Sequence, residues 1–287
     1  MTDNVDTDRY DRNIRVFGSD GQQALVDTHV AVAGVGGLGS LEAIGSLRNG
    51  AKALTLIDPD VVEEHNLPRL FGAYDDEVGR AKVEVVQEHL QRIDPDATIH
   101  TVQRRVEDAA DALHDADLIL GGLDRISSRI WLNTYAIDHD TAYIDAGVHI
   151  ATADDDTGGV ETMEGYVQRI VPGQTACFDC HDRGDREQAR IERMTDAQRE
   201  TALEQGYIDD TALAPEPAVN PLNGVTAFKA LDVAVKHVTG YEEPADWIRF
   251  ETTGNTLTAA ATQPTPDCPA CGDPDPDKLD RDTSWLS

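Results

Sequence analysis

The chain has 287 residues, enough to bury a substantial core in one large or two small domains. Its 54 acidic and 24 basic residues give a formal net charge of −30. This charge disfavours nonspecific binding to nucleic acid or to an anionic membrane, so we expect neither as a partner. No apolar run approaches the ~20 residues of a membrane-spanning helix, and the polar N-terminus lacks a signal-peptide core. These features predict a soluble, cytoplasmic protein.

The first half of the chain alternates between helical and extended patterns. Helical spacing covers residues 21–27, 38–47, 79–93 and 127–138, and short strand patterns cover residues 30–33, 53–57, 98–103, 117–122 and 142–146. This alternation predicts an α/β fold with a doubly wound, mostly parallel, Rossmann-like sheet. In such sheets the ligand crevice lies outside the carboxyl ends of the strands.

Four glycines follow the first strand in the spacing G-x-G-G-x-G: Gly34, Gly36, Gly37 and Gly39. With the helix and the second strand, which ends at Asp58, they make a βαβ unit of about 30 residues. The glycines would let backbone N–H groups approach a phosphate, and Asp58 is placed to hold a ribose hydroxyl. The alternatives are a tight glycine turn with no chemical role and an NAD dehydrogenase.

Cations and carboxylates near the other strand ends are candidates for phosphate chemistry. Lys82 occupies the first turn of a predicted helix, where a cation opposes the helix dipole. This position indicates a role other than helix stability. Arg12 and Arg69 are further candidate cations, and Asp124 follows a predicted strand as a candidate for metal binding. Taken singly, each of these residues is also compatible with an ordinary surface position.

The second half of the chain has a different character. We expect a loop at residues 154–159, a strand at 160–171, a charged, mobile connection at 181–219 with helix around 186–205, and a helix at 221–238. A hairpin is predicted from residues 247–252 and 256–261, with Gly254 and Asn255 at the turn. The connection is bounded by prolines at its C-terminal end.

The four cysteines form two C-x-x-C pairs: Cys177, Cys180, Cys268 and Cys271. Four thiolates in two short pairs fit a tetrahedral structural Zn²⁺ site. The alternative is a redox-active C-x-x-C, although no thioredoxin-like context surrounds either pair. The pattern is not that of a secreted disulfide framework.

Several stretches together resemble the E1-like adenylyltransferases, the family that includes molybdopterin synthase adenylyltransferase, ThiF and ubiquitin-activating enzymes. The matching stretches are RYDRNIRVFGSDGQQAL, VAVAGVGGLGS, LIDPDVVEEHNLPR, GRAKVE, GGLDR and the two C-x-x-C pairs. The motif D-x-D-x-V-x-x-x-N-L-x-R is met by Asp58, Asp60, Val62, Asn66, Leu67 and Arg69. Together with Lys82, it argues against a dehydrogenase. Three positions depart from the family pattern: His65, Pro68 and Arg125, the last standing where Asn is frequent.

The resemblance implies an ATP site with Mg²⁺. The glycine loop, with Gly34, Gly36, Gly37 and Gly39, would lie against the ATP phosphates, and Asp58 and Asp60 would belong to the nucleotide site. Asp58 would hold the ribose, Asp124 would hold magnesium, and the phosphates would be contacted by Asn66, Arg69 and Lys82. Arg12 would act as an arginine finger contributed by the partner subunit of a homodimer. The family often carries a zinc at the cysteine pairs.

The implied reaction is adenylation of the C-terminal carboxylate of a small ubiquitin-like or sulfur-carrier protein, usually ending in Gly-Gly. The whole chain, 1–287, would be one ThiF-type domain with a nucleotide-binding half (9–150) and a carrier-binding half (151–287). Residues 181–267 contain no cysteine, which predicts that the enzyme stops at the acyl-adenylate and that an external nucleophile completes the transfer. The alternatives are a tRNA threonylcarbamoyladenosine dehydratase-like enzyme and a non-catalytic nucleotide-binding regulator.

The acidic residues are spread along the chain rather than gathered in one tail. We interpret them as a solvated surface adapted to high salt, where screening removes self-repulsion between like charges. Lysine is scarce, with residues 52, 82, 229, 236 and 278 as its five positions. A docking face for a basic partner is the competing interpretation, but no acidic block is dense enough to favour it.

Overall fold

Eight strands form a single sheet at the centre of the protein. In the computed structural model, which describes residues 5–152, 159–181, 185–208 and 217–272, these strands are β1 (His29–Ala33), β2 (Ala53–Ile57), β3 (Thr98–Val102), β4 (Leu118–Gly121), β5 (Ala142–Thr152), β6 (Val160–Ile170), β7 (Trp247–Glu251) and β8 (Thr256–Ala260). Their order across the sheet is β3-β2-β1-β4-β5-β6-β7-β8. The first five strands in this order are parallel, and the remaining pairs are antiparallel.

Helices cover both faces of the parallel part of the sheet, which confirms the doubly wound α/β prediction. The helices are α1 (Asp11–Asp27), α2 (Gly39–Asn49), α3 (Lys82–Ile93), α4 (Ala110–Leu113), α5 (Ile126–Asp138), α6 (Arg186–Arg193), α7 (Asp196–Glu204) and α8 (Asn220–Thr239). The apolar sides of α2, α3 and α8 bury one face, and α4 and α5 bury the other. No described helix is both long enough and apolar enough to cross a membrane.

The predicted elements of the first half are present, with differences at their ends. Helical structure begins at Asp11 rather than at residue 21, and the helix is kinked at Gly18, which has φ of 74° and ψ of 170°. Helix α3 begins at Lys82 rather than at residue 79, since Gly79 has φ of 93° and the neighbouring backbone pairs with Val61 through Ala81. Strand β5 continues beyond residue 146 because its later residues pair with β6.

The antiparallel half contains the predicted strand at 160–171 and the predicted hairpin. Asn255 turns the chain between β7 and β8 with φ of 51°. The expected loop at 154–159 falls almost wholly outside the described residues. The connection at 181–219 contains α6 and α7, which share a small apolar cluster of their own, formed by Ile191, Ala202 and Ile208.

Candidate functional site

The glycine loop and Asp58 lie together at the carboxyl ends of β1 and β2. The backbone N–H of Val35 donates to Asp58 Oδ2 at 2.7 Å, and the N–H of Asp60 donates to Oδ1 at 2.9 Å. Burial raises the pKa of Asp58 above its usual value, although Lys82 and the two backbone donors act in the opposite direction. The carboxylate is therefore fixed in place at the edge of the crevice.

Each of the four loop glycines has a different local environment, which decides whether a side chain could replace its hydrogen. Gly34 has φ of 82°, a conformation that favours glycine. A Cβ on Gly39 would lie 1.8 Å from the carbonyl oxygen of Gly34, and one on Gly37 would lie 2.3 Å from Nδ2 of Asn223. A Cβ on Gly36 would have no atom within 4 Å. Gly34 and Gly39 are thus constrained by the backbone, and a Cβ on Gly37 would require only the Asn223 side chain to move, whereas Gly36 faces open space.

Lys82 is held beside these carboxylates at the start of α3. Its Nζ lies 2.8 Å from Asp60 Oδ2 and 4.0 Å from Asp58 Oδ1, and its side chain is 11% exposed. The two carboxylates offset the unfavourable position of a cation at a helix N-terminus. Helix α3 is therefore compatible with a lysine whose ammonium points toward the crevice.

The segment between β2 and α3 carries Asn66 and Arg69. The side-chain Oδ1 of Asn66 accepts a hydrogen bond from the backbone N–H of Glu63 at 3.1 Å. Arg69 Nη1 donates to the carbonyl oxygen of His65 at 2.6 Å. The aliphatic part of Arg69 lies against the loop, 3.3 Å from the position that a Cβ on Gly37 would take. Arg69 therefore approaches the glycine loop directly.

Asp124 lies at the carboxyl ends of the parallel strands, whereas the segment that carries Arg12 lies near their amino ends. Asp124 follows β4 at the carboxyl edge, with its side chain exposed. Arg12 is in α1, next to a segment in which Arg9 donates to the carbonyl oxygen of Ile93 at 2.9 Å. Ile93 ends α3, and that end lies at the amino edge of the strands. Within one chain, the structure does not bring Arg12 to the other predicted site residues.

Asp124 is the residue at the carboxyl ends of the strands that would hold a magnesium ion if one bound together with a nucleotide. Mg²⁺ is usually bound by one or two carboxylates together with substrate phosphates, and it keeps several waters. Asp124 offers one exposed carboxylate at the mouth of the crevice. Among the described residues, only the four cysteines form a group of three or more potential metal-ligating side chains, so no preformed all-protein carboxylate cage is present in the described part of the chain.

A buried acid next to the glycine loop was missed by the sequence analysis. Glu42, in the first turn of α2, is fully buried, and neither carboxylate oxygen has a hydrogen-bond partner. Burial raises the pKa of Glu42 to about 8, and the charge of nearby Asp145 adds to the shift. Asp145 is itself paired with Arg129, whose Nε donates to Oδ1 at 2.9 Å. The available signal was an acid placed between Leu41 and Ala43 in an apolar helix.

Asn223 reaches the same loop from the other half of the chain. It lies in α8, is 3% exposed, and its Oδ1 has no hydrogen-bond partner. Its Nδ2 occupies the space that a Cβ on Gly37 would need. The local sequence predicted only a helix here, since the contact depends on how α8 packs against α2. Both halves of the chain therefore shape the glycine loop.

The four cysteines converge beside β6 and the start of the α6 segment. The Sγ atoms of Cys177 and Cys180 are 3.8 Å apart, those of Cys177 and Cys268 are 3.5 Å apart, and those of Cys180 and Cys271 are 3.3 Å apart. All four sulfurs lie within 4.8 Å of one another. Zinc–sulfur bonds of about 2.3 Å in a tetrahedron place the sulfurs about 3.8 Å apart. The cluster therefore fits a structural zinc ion.

Comparison with known families agrees with these features. The family model described as "ThiF family" matches residues 10–270, which is most of the chain. The chain belongs to the ThiF family. This confirms the resemblance seen in the glycine loop, the D-x-D motif and the cysteine pairs.

Curated relatives of this ThiF-family chain are adenylyltransferases and activating enzymes by name. The chain is 27% identical to the sulfur carrier protein ThiS adenylyltransferase of Escherichia coli K12, covering 92% of this chain and 94% of that protein. It is 28% identical to the molybdopterin-synthase adenylyltransferase of the same strain, covering 92% and 96%. It is 26% identical to ubiquitin-like modifier-activating enzyme 5 of Drosophila ananassae, over 86% of this chain but only 59% of that protein's length.

Solved structures share the fold of this ThiF-family chain. The crystal structure of E. coli MccB superposes with a TM-score of 0.73 at 22% identity, covering 94% of this chain and 74% of that chain. The crystal structure of SeMet PaaA gives a TM-score of 0.66 at 20% identity, covering 90% and 73%. At these identities the likeness concerns the fold alone.

Proposed function

We propose that this protein is an ATP-dependent adenylyltransferase that activates the C-terminal carboxylate of a small ubiquitin-like or sulfur-carrier protein. The products are an acyl-adenylate and pyrophosphate. The observation that carries the proposal is the convergence of the glycine loop, buried Asp58 and Lys82 at one edge of the sheet in a chain of the ThiF family. The names of the relatives support the substrate class, since they act on ThiS, on the molybdopterin synthase system or on ubiquitin-like modifiers.

Each residue would act through the group that it presents at this edge. The open space beside Gly36 would receive the phosphates. Asp58 would accept a ribose hydroxyl, because each carboxylate oxygen that already accepts one backbone N–H retains a second lone pair. Lys82 and Arg69 would stabilise negative charge on the phosphates as the carrier carboxylate attacks the α-phosphate.

Asn66 and Asp124 complete the proposed nucleotide site. Because the Oδ1 of Asn66 is engaged by its own turn, a phosphate contact from this residue would come from Nδ2. Asp124 would hold Mg²⁺ together with the phosphates, and Asp60 would keep Lys82 oriented. Bound Mg²⁺ would supply Lewis-acid stabilisation of the phosphate charge.

Pyrophosphate exchange into ATP tests this proposal directly. The substrates are candidate small proteins ending in Gly-Gly, with tRNA as a separate arm. Lys82→Ala and Asp124→Ala are each expected to lower the exchange rate by about 100-fold or more, as expected for loss of one transition-state charge contact. The matched control is Lys229→Ala, which removes an α8 lysine paired with Asp232.

Several outcomes would reject the proposal. Exchange within threefold of wild type in either site variant contradicts the site assignment. Exchange with tRNA but with no carrier protein contradicts the substrate class. Absence of exchange with either substrate, in a protein that still binds ATP, favours a non-catalytic nucleotide-binding regulator.

We also propose a homodimer in which Arg12 contributes to the partner subunit's ATP site. Arg12 is exposed, and Arg9, three residues before it, donates to the carbonyl oxygen of Ile93 at the C-terminal end of α3. Because the N-terminal end of α3, with Lys82, lies at the glycine loop and its C-terminal end lies near Arg9, this neighbourhood supports a role for Arg12 at another subunit's site. Mixing inactive Arg12→Ala and Lys82→Ala subunits should restore part of the exchange activity, because some mixed dimers contain one intact site. A monomeric mass by light scattering, or no recovery after subunit exchange, contradicts this arrangement.

The proposed reaction ends at the acyl-adenylate. The four cysteines of the chain, Cys177, Cys180, Cys268 and Cys271, form the zinc-like cluster, and a thiolate bound to zinc in a closed tetrahedron is a poor nucleophile. An external nucleophile, such as a persulfide, a second protein's cysteine or an amine, would then take the acyl group. Intact mass analysis after incubation with ATP and the carrier should show no thiol-labile enzyme adduct. An adduct on any of the four cysteines contradicts this limit.

A further inference from the structure

The N-terminus of α5, directly after Asp124, is capped by a carboxylate from the connection that contains α6 and α7. Glu192 Oε1 accepts the backbone N–H of Ile126 at 3.1 Å, and Oε2 accepts the N–H of Ser127 at 2.8 Å. The side chain of Glu192 is 11% exposed. The first N–H groups of a helix lack partners within the helix and form its positive end, so a carboxylate is stabilising there.

The contact runs in both directions: Glu192 caps α5, and residues of α5 and its N-cap bind the Glu192 segment in return. Arg125, the N-cap residue of α5, gives its own helix no side-chain hydrogen bond. Instead, Arg125 Nη2 donates to the backbone carbonyl of Glu192, and its Nε lies 3.8 Å from Glu192 Oε2. Arg199 of α7 donates to the same carbonyl at 3.2 Å, and Arg193 donates to the carbonyl of Ser127 at 3.4 Å.

These polar contacts add to an apolar contact between α6 and α5. The α6–α7 pair packs around its own apolar cluster, and Ala189 of α6 also shares a buried cluster with Ile130 of α5 and with Phe178. The polar contacts of Glu192 and Arg125 fall at the turn that follows Asp124. The contacts therefore reach the three residues that directly follow Asp124, namely Arg125, Ile126 and Ser127.

We propose that Glu192 is a positioning residue that fixes the Asp124–Arg125 turn and so sets the geometry in which Asp124 holds Mg²⁺ with ATP. This inference rests on the proposed function, because it takes Asp124 to be the metal-binding carboxylate. Glu192 contacts neither substrate nor metal and acts through the α5 N-terminus. The position of the α6–α7 connection thereby controls the Mg²⁺-dependent part of ATP binding.

The first measurement needs no ligand. In Glu192→Ala, hydrogen–deuterium exchange of the Ile126 and Ser127 amides should become about tenfold faster, as expected for loss of a helix cap. Exchange in β1 should stay unchanged. Glu192→Gln keeps one acceptor oxygen and should give an intermediate effect. The control is Glu187→Gln on the same helix, where the exposed carboxylate pairs with Arg190 and exchange at 126–127 should not change.

The second measurement is ATP affinity by calorimetry with and without Mg²⁺. Glu192→Ala should leave the Mg²⁺-free affinity unchanged and reduce the gain in affinity given by Mg²⁺ by about tenfold, as for loss of one positioning contact. Glu187→Gln should retain the full gain. A full gain in Glu192→Ala, with the two amides deprotected, would overturn the positioning role and leave only a structural cap.

The outcomes separate this inference from the proposed function. If the wild-type protein binds Mg²⁺-ATP but exchanges no pyrophosphate with any carrier, the proposed function is overturned. The role of Glu192 still stands in that case if Glu192→Ala loses the increase in ATP affinity that Mg²⁺ gives. A wild-type protein that exchanges pyrophosphate while Glu192→Ala keeps the full gain overturns this inference alone. A wild-type protein that does not bind Mg²⁺-ATP overturns both.

Discussion

The glycine loop and the cysteine cluster with its adjoining α6–α7 connection are held in place by different kinds of contact. At the loop, backbone packs closely on backbone, since a Cβ on Gly39 would lie 1.8 Å from the carbonyl oxygen of Gly34, and the Asp58 carboxylate adds a hydrogen bond from the Val35 N–H. At the cysteine cluster and the connection, side chains carry the structure, through four sulfurs and the Glu192 cap. Close backbone packing leaves the glycine loop little room to change conformation. The contacts of the connection are made by separate side chains, each of which can be lost without the others. The difference implies that the second region can loosen while the first keeps its geometry.

Loss of zinc from the cysteine cluster should give the largest change in stability, and it should loosen the cluster without loosening the glycine loop. We expect one zinc per chain by elemental analysis, and we expect Cys268→Ser to lower the free energy of unfolding by more than about 6 kcal/mol, since structural zinc sites contribute about 10–16 kcal/mol in small peptides. Hydrogen exchange should rise around Cys177 and Cys268 and stay slow at the glycine loop. A zinc-free protein of full stability would contradict this assignment.

The next largest effect concerns Glu42, beside the loop. Burial raises the pKa of Glu42 from the ordinary value of 4.5 to about 8 in the folded protein. The unfolded chain therefore releases a proton that the folded chain retains, and the free energy of unfolding falls as pH rises from about 4.5 to about 8. This change in pKa would lower the free energy of unfolding by at most about 5 kcal/mol across that pH range.

Glu42→Gln provides the matched comparison for this pH effect. The side chain of residue 42 cannot ionise in the variant, so its urea denaturation midpoint should depend less on pH between pH 5 and pH 8. Subtracting the two midpoints at each pH removes the contribution of the other acids. Parallel curves for the two proteins would show that Glu42 does not titrate in this range.

Much of the first region could be predicted from the sequence, and the reasons are local. The apolar run at β2 and the glycine spacing specify their own conformation, and strand β2 spans the predicted residues. The cap by Glu192 and the burial of Glu42 could not be predicted in this way. Glu192 lies 65 residues from Ser127 in the chain, and nothing in its neighbourhood indicates that partner. Contacts of this kind depend on tertiary packing, which local patterns do not encode.

Two alanine substitutions in the glycine loop test whether its backbone packing and its open space have separate roles. Gly36→Ala should change the free energy of unfolding by less than about 1 kcal/mol, because its Cβ would meet no atom. The same variant should weaken ATP binding by about tenfold or more, since the new methyl group would enter the space proposed for the phosphates. Gly39→Ala is the contrasting variant and should fail to fold stably. Unchanged ATP affinity in a well-folded Gly36→Ala protein would contradict the phosphate position.

The smallest expected effect concerns salt. With a formal net charge of −30, screening should raise the melting temperature by a few degrees as KCl increases beyond 0.5 M, because self-repulsion destabilises the compact state. Scanning calorimetry in KCl, with sucrose as a non-ionic comparison, measures this effect. A melting temperature that is flat or falls with KCl would contradict adaptation to high salt.

The junction of β4 with the glycine loop has a consequence for how the chain folds during synthesis. Gly122 lies so close to the loop that a Cβ there would be 2.8 Å from the backbone nitrogen of Gly39, and its own N–H donates to the carbonyl oxygen of Ala33 at 3.0 Å. The loop and β1 are translated early, but this partner follows much later in the chain. Because non-local pairings form slowly and domains fold as units as the chain emerges, we expect the backbone of the glycine loop to reach its final form only after Gly122 has left the ribosome. Until then, the nascent β1 has an unpaired edge on the side that β4 later occupies.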